Sequence, residues 1–249
     1  MKAIQLPLTA LIFAMIALHA FHAKSADADP QSDTPKNKAV IPEPRADKMK
    51  RFESINERAK KGDVDLLFIG DSITENWMGR GKDVWSKYYG HRKAMNMGIG
   101  GDRTQHVLWR MDHGNIDGIN PKLAVLMIGT NNAHSNNAEE IAAGIKAILD
   151  RLQDKLPQTK VLLLGIFPRG EHDNPERQIV IKASELASKF ADNKRVFYLD
   201  IGSKFLEPDG SISKEIMPDF THPSEKGYEI WAEAIEPKVA ELLGDKPIQ

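Results

Sequence analysis

The sequence predicts an α/β fold: a parallel five-stranded sheet with helices on both faces, in one domain of roughly 200 residues. Three observations predict it. Five short apolar runs recur along the chain, segments of helical period lie between them, and polar residues able to do chemistry fall just after the runs.

The first run, Leu66–Ile69, is followed by Ala94–Met97, Leu123–Ile128, Val161–Ile166 and Val196–Leu199. The runs are apolar at consecutive positions, as strands covered on both faces are. Among the segments between them, 138–156 ("AEEIAAGIKAILDRLQDKL") has the clearest helical period, and Pro157 stands just past its end. The last helical segment, 223–243, opens at Pro223 and closes the fold.

Ahead of this domain the chain reads differently. Lys2 precedes the apolar run "LTALIFAMIA", which is too short to span a bilayer, and small residues follow at Ala23, Ser25, Ala26 and Ala28. That pattern predicts a signal peptide over 1–25 and an exported protein, periplasmic or extracellular. Residues 26–46, rich in Pro, Asp and Lys, read as a disordered linker, 47–244 as the domain and 245–249 as a tail. With no cysteine there is neither a lipid-bearing thiol nor a disulfide, so the core alone must stabilise the fold and no stable membrane anchor is expected. A net charge of −1, without a basic block, gives nucleic acid no reason to bind.

In doubly wound sheets, ligands bind outside the carboxyl ends of the strands. The residues that fall there are "GDS" with Ser72, "GIGGDRT" with Gly100, Gly101 and Asp102, "GTNN" with Thr130, Asn131 and Asn132, and, ahead of the closing helix, "DFTHP" with Asp219 and His222. Together they supply the parts acyl transfer needs. Ser72 is the candidate nucleophile, His222 the base, and Asp219 the carboxylate that orients the imidazole. The backbone N–H groups of Ser72 and Gly101 and the amide of Asn131 are candidate donors to an oxyanion.

Each residue also has a plainer reading. Ser72 would serve as an N-cap, Gly100–Gly101 as a tight turn, Asn131 and Asn132 as helix caps, His222 as a helix-entry residue and Asp219 as a solvated acid. What favours chemistry is their shared position after successive strands. Of the remaining histidines beyond the signal segment, His91, His106, His113, His134 and His172, only His134 stands near "GTNN" and is placed to line the site. No GxSxG elbow is present, Arg103 occupies the third glycine position of a dinucleotide fingerprint, and "GRGKD" is not a P-loop. A metal-dependent phosphoesterase using Asp71, Asp102, Asn131 and His222 is the main competing chemistry, yet no further histidine–carboxylate ligand motif accompanies them.

The blocks "FIGDSITENW", "NMGIGGDRTQHVLWRM", "LMIGTNN", "LGIFPRG", the "RQ" at Arg177–Gln178 and "DFTHPSEKGY" resemble those of SGNH (GDSL-type) hydrolases. Within that superfamily they are most similar to platelet-activating factor acetylhydrolase catalytic subunits and their bacterial relatives. The resemblance spans roughly residues 50 to 243 and implies a flavodoxin-like three-layer α/β/α sandwich, cofactor-free and metal-free ester hydrolysis, and pairing into a homodimer as an option. It assigns Ser72, Asp219 and His222 to the triad, and Gly101 and Asn131 to the oxyanion hole. Asn132 departs from the Asp often found in the third block. The expected reaction removes small acyl groups, acetyl first, from O-acetylated carbohydrate; a short-acyl phospholipid is the alternative. Ile73, Thr130 and Thr221 flank the catalytic positions and are expected to bound the acyl pocket.

Overall fold

The computed structural model describes residues 37–248. In chain order it contains α1 (Met49–Lys60), β1 (Leu66–Gly70), α2 (Ser72–Glu75), α3 (Lys82–Tyr89), β2 (Ala94–Gly98), α4 (Thr104–Asp112), β3 (Leu123–Met127), α5 (Ala138–Lys155), β4 (Lys160–Leu164), α6 (Pro175–Ser188), β5 (Val196–Leu199) and α7 (Glu225–Leu243). The five strands form one sheet in the order β2-β1-β3-β4-β5, and every pairing is parallel. This is the predicted α/β architecture.

Successive side chains of a strand point to opposite faces, so each apolar run divides between two cores. Leu67, Ile69, Ala124, Leu126, Val161 and Leu163 pack with α1, α4, α5 and α6 on one face. Leu66, Phe68, Leu123, Val125, Leu162 and Leu164 pack with α3 and α7 on the other. The second core is aromatic: Trp77 lies 4.5 Å from Tyr228 and 4.9 Å from Trp231, centroid to centroid. Helix ends follow local chemistry. The Asn137 side chain accepts from the Glu140 N–H while Glu140 reaches back to the Asn137 N–H, a capping box that starts α5. Ser224 caps α7, which begins at Glu225, two residues inside the expected start at Pro223.

Four expectations need correction. β3 ends at Met127, short of Ile128, and β4 at Leu164, short of Ile166, whose N–H turns to the Ser184 hydroxyl instead of a neighbouring strand. The expected linker is ordered from residue 37. Ala39 is fully buried, its carbonyl accepts from Thr104 Oγ1 at 2.8 Å, and the Glu43 N–H donates to the Gln105 carbonyl at 3.2 Å. The signal segment and residues 26–36 lie outside the described residues. The tail is anchored: Asp245 accepts from Arg92 Nε at 3.0 Å, and the Ile248 N–H donates to Glu236 at 2.8 Å.

Arg92 and Glu236 form a bidentate pair at 2.7 and 2.8 Å, both nearly inaccessible to solvent. Removing Glu236 leaves the buried Arg92 charge with only the partly exposed Asp245 as its counter-charge. Glu236→Ala is therefore expected to lower stability by about 3–5 kcal/mol in urea unfolding. A loss well under 1 kcal/mol would contradict a paired, buried arginine.

Candidate active site

The site is assembled at the carboxyl ends of β1, β2 and β3. Order reverses here, since the chain leaves β1 for β2 on one side and returns to place β3 on the other. β1 ends at Gly70, where a Cβ would lie 2.5 Å from the Met127 carbonyl oxygen and press on Thr74 Oγ1, so only glycine lets α2 fold back over the sheet end. Asp71 follows, fully buried, and its Oδ1 accepts from the Ile73 N–H at 2.9 Å. The cap of α2 is thus Asp71 and not Ser72, which becomes the first helical residue with its hydroxyl free of capping duty.

Ser72 Oγ lies 2.8 Å from His222 Nε2, and His222 Nδ1 lies 2.9 Å from Asp219 Oδ2. An ionised carboxylate only accepts, so Nδ1 carries the hydrogen and Nε2 is left to accept from the serine hydroxyl. Asp219 Oδ1 takes the backbone N–H groups of Thr221 and His222 as well, at 3.2 and 2.8 Å. Desolvation alone would raise the Asp219 carboxyl. The His222 N–H, the His222 ring and the Thr221 N–H outweigh it and hold Asp219 below the usual carboxylate range. The loop 219–222 needs Phe220 at φ +57, a left-handed conformation uncommon for a residue with a bulky side chain.

The loop after β2 lies behind Ser72. A Cβ on Gly100 would stand 3.7 Å from Ser72 Cβ, so the two loops are neighbours. The Gly100 N–H donates to Glu75 Oε2 at 2.6 Å, and the Gly100 carbonyl accepts from Arg45 Nη1 at 2.9 Å. That carbonyl and the Gly101 N–H belong to one planar trans peptide and point in opposite directions. Arg45 therefore aims the Gly101 N–H by holding the other end of its peptide. Gly101 sits at φ +80, and a Cβ there would meet Arg45 Nη1 at 2.7 Å, which requires glycine twice over. Neither the Ser72 nor the Gly101 N–H has an acceptor among the described residues. Asn131 Nδ2 spends one hydrogen on the Asp102 carbonyl at 2.9 Å and keeps the other.

Three residues that sequence reasoning missed support these loops: Arg45, Glu75 and Arg110. Arg110, fully buried, donates to Asp102 Oδ2 at 2.9 Å, Asn115 Oδ1 at 3.2 Å and the Gly70 carbonyl at 3.1 Å. The only signal in the chain is a lone arginine within the apolar stretch "HVLWRM". Asn132 is buried too. It accepts from the Thr104 N–H at 3.0 Å and donates to Gln105 Oε1 and Asn136 Oδ1 at 3.2 and 3.0 Å, so it needs an amide where the family pattern often has Asp.

The residues expected to bound the acyl group fare unevenly. Ile73 packs into the aromatic core beside Phe68 and Trp77 and is not a pocket wall. Thr130 is buried, with its carbonyl held by Arg169 Nη1 at 2.8 Å. Thr221 is half-buried next to His222. The His134 ring is engaged by Glu176 and lies 3.3 Å from Arg169 Nη2. His106 is occupied as an acceptor for the Arg103 N–H, and burial and then the nearby Arg45 charge push its pKa down to about 4. The possible metal ligands Asp71 and Asp102 are committed to the Ile73 N–H and to Arg110. Among the described residues, no three His, Cys, Asp or Glu side chains converge.

Comparison with known proteins decides the family. The sequence model of the GDSL-like lipase/acylhydrolase family matches residues 68–230. The chain belongs to this family. It is 37% identical to the platelet-activating factor acetylhydrolase IB subunit alpha1 of Homo sapiens over 78% of this chain and 84% of that protein. To the alpha2 subunit of Rattus norvegicus it is 39% identical over 76% and 81%. A GDSL-like lipase from Bacteroides thetaiotaomicron superposes with a TM-score of 0.58 at 18% identity, covering 77% of this chain and 97% of that one. An acetyl xylan esterase from Geobacillus stearothermophilus does so at 0.56 and 19%, covering 74% and 96%. This GDSL acylhydrolase is a carboxylic ester hydrolase of the SGNH superfamily.

Burial raises the Asp71 carboxyl to about 7; the Ile73 N–H opposes the rise, and the nearby Asp102 charge adds to it. The folded value lies above the ordinary one near 4, so this group's stabilising contribution is complete below pH ~4 and disappears as pH rises through ~7. Asp71→Asn keeps the cap acceptor without the charge. The wild type is expected to lose stability relative to this variant between those limits, and parallel stability–pH curves for the two proteins would contradict the assignment.

Proposed function

We propose that this acylhydrolase removes small acyl groups, acetyl above all, from esters of polar alcohols, with Ser72 as nucleophile. The observation that carries the reading is the line from Ser72 Oγ through His222 to Asp219, at 2.8 and 2.9 Å, beside two backbone N–H groups with no acceptor among the described residues. Ser72 Oγ attacks the ester carbonyl carbon while His222 Nε2 takes its proton. The carbonyl oxygen becomes an oxyanion, received by the N–H groups of Ser72 and Gly101 and the second amide hydrogen of Asn131. Each such donor contributes about 3–4 kcal/mol to the barrier reduction. As the intermediate collapses, His222 returns the proton to the departing alcohol and the acyl group stays on Ser72. Water then repeats the sequence and releases the acid.

For the alcohol, the favoured substrate is O-acetylated carbohydrate. Support comes from the polar rim: Arg80 Nη1 reaches the His222 carbonyl at 3.4 Å, Arg103 Nη1 meets Ser135 Oγ at 3.1 Å, and Asp219 is exposed. Among the described residues, the large apolar side chains exposed to solvent are Ile41, Met78 and Ile181, too few for an apolar collar. Export through residues 1–25 fits a polymeric substrate outside the cytoplasm. A short-acyl phospholipid is the second reading, favoured by the acetylhydrolase relatives at 37–39% identity.

The test is acetate release from acetylated xylan, acetylated pectin and an acetyl-phospholipid, with acetyl and octanoyl nitrophenyl esters alongside. Carbohydrate and acetyl substrates are expected to lead, EDTA to leave the rate unchanged, and Ser72→Ala to lower kcat by about 10⁴-fold or more. Undiminished activity in Ser72→Ala would refute the mechanism. Preference for octanoyl would refute the small acyl group, and preference for the phospholipid would transfer the assignment to the second reading.

A further inference from the structure

Pro168–Arg169–Gly170, between β4 and α6, stands apart from the hydrogen-bonded line at Ser72 yet touches both loops that flank it. Arg169 Nη1 donates to the Thr130 carbonyl at 2.8 Å. That carbonyl shares a rigid peptide plane with the Asn131 N–H, so the bond fixes the backbone from which the Asn131 amide projects. One residue on, the Gly170 N–H donates at 2.8 Å to the carbonyl of Phe220, the left-handed residue between Asp219 and Thr221. A residue in such a conformation persists only where its surroundings hold it.

The segment is itself held from behind. The Arg169 carbonyl accepts from Arg177 Nε at 2.8 Å and from Asn174 Nδ2 at 3.2 Å. Arg177 is nearly inaccessible to solvent and also bonds the Gly170 carbonyl and, at 2.7 Å, the Gly210 carbonyl. The Arg169 guanidinium is steadied by Glu176 at 3.1 Å. The Arg169 side chain and the adjacent Gly170 N–H thus reach opposite halves of the site.

We propose that Arg169 is a positioning residue that ties the loop carrying Asn131 to the loop carrying Asp219 and His222, with Arg177 as its anchor. The proposal rests on the reading of Asn131 as an oxyanion donor. Its side chain works by keeping Thr130–Asn131 in register with the acid–base loop, whose own tether is the Gly170 N–H. A misplacement of about 1 Å in such a constellation costs on the order of 10²-fold in rate.

The experiment is a double-mutant cycle with an acetyl nitrophenyl ester, using Arg169→Met, Arg169→Lys, Asn131→Ala and the combinations. Arg169→Met is expected to lower kcat by about 10- to 100-fold with KM within about twofold, and Arg169→Lys, which still reaches the Thr130 carbonyl with one donor, to recover part of it. In the Asn131→Ala background the Arg169→Met effect is expected to shrink to about threefold or less, since the group it positions is gone. Equal effects in both backgrounds, an effect on KM alone, or an unchanged kcat would overturn the proposal. Should Arg169→Met not fold, Arg169→Lys in both backgrounds decides by the same criterion. Ser72→Ala, assayed in parallel, separates the two claims. If Ser72→Ala is inactive and the cycle is additive, only the role of Arg169 falls; if Ser72→Ala is active, the catalytic reading falls first.

Discussion

The site depends on a buried ion pair that touches no substrate. Arg110 lies under the ends of β1 and β2 and bonds the Gly70 carbonyl on one side and Asp102 on the other. Burial weakens the preference of Arg110 for its proton and raises the Asp102 carboxyl, and each group's charge opposes the shift that burial imposes on the other. Loss of Asp102 would leave the Arg110 charge in the interior without its ion-pair partner, a cost of several kcal/mol. The pair therefore holds the turn before Ser72 and the loop after β2 at one separation. Through the Asp102 carbonyl, which accepts from Asn131, the loop after β3 joins them.

Around that pair, peptides at the site are oriented from their far ends. Arg45 grips the Gly100 carbonyl and thereby aims the Gly101 N–H. The Glu75 N–H holds the Asp71 carbonyl at 2.8 Å, which turns the Ser72 N–H outward. Because a trans peptide is planar, a donor behind the carbonyl fixes the direction of the N–H in front without occupying the space a substrate needs. In the reaction proposed above, donors held in this way would require no reorganisation as charge develops, which is what electrostatic preorganisation means in structural terms. Glu75 serves twice, once through its backbone and once through the carboxylate that takes the Gly100 N–H.

Much of this was legible in the chain. Five apolar runs became five strands, and the loops after β1, β2 and β3 carry Ser72, Gly101 and Asn131, because burial on both faces leaves a run of apolar residues that only a loop can end. The misreadings share a cause. Residues 37–46 look like linker in composition, yet Ala39 is buried and Arg45 reaches the Gly100 carbonyl: a few specific contacts outweigh a polar average. Ile73, beside Ser72 in sequence, points away from it because consecutive residues of a helical turn face different directions. Arg110 and Arg177 stand in family-like blocks, but their roles could not be read locally, since a buried arginine is defined by the carbonyls and carboxylates that gather round it.

What the sequence determined by itself was the architecture, the family and the residue types available at the sheet edge, since strand period, turn chemistry and motif spacing are local properties of the chain. Tertiary structure alone decided which atoms meet: that His222, 150 positions from Ser72, stands 2.8 Å from its hydroxyl, and that Asp71 takes the cap and leaves Ser72 free. The physical reason is that hydrogen bonds are made across a few ångströms of space, and only the folded chain determines which distant residues share it.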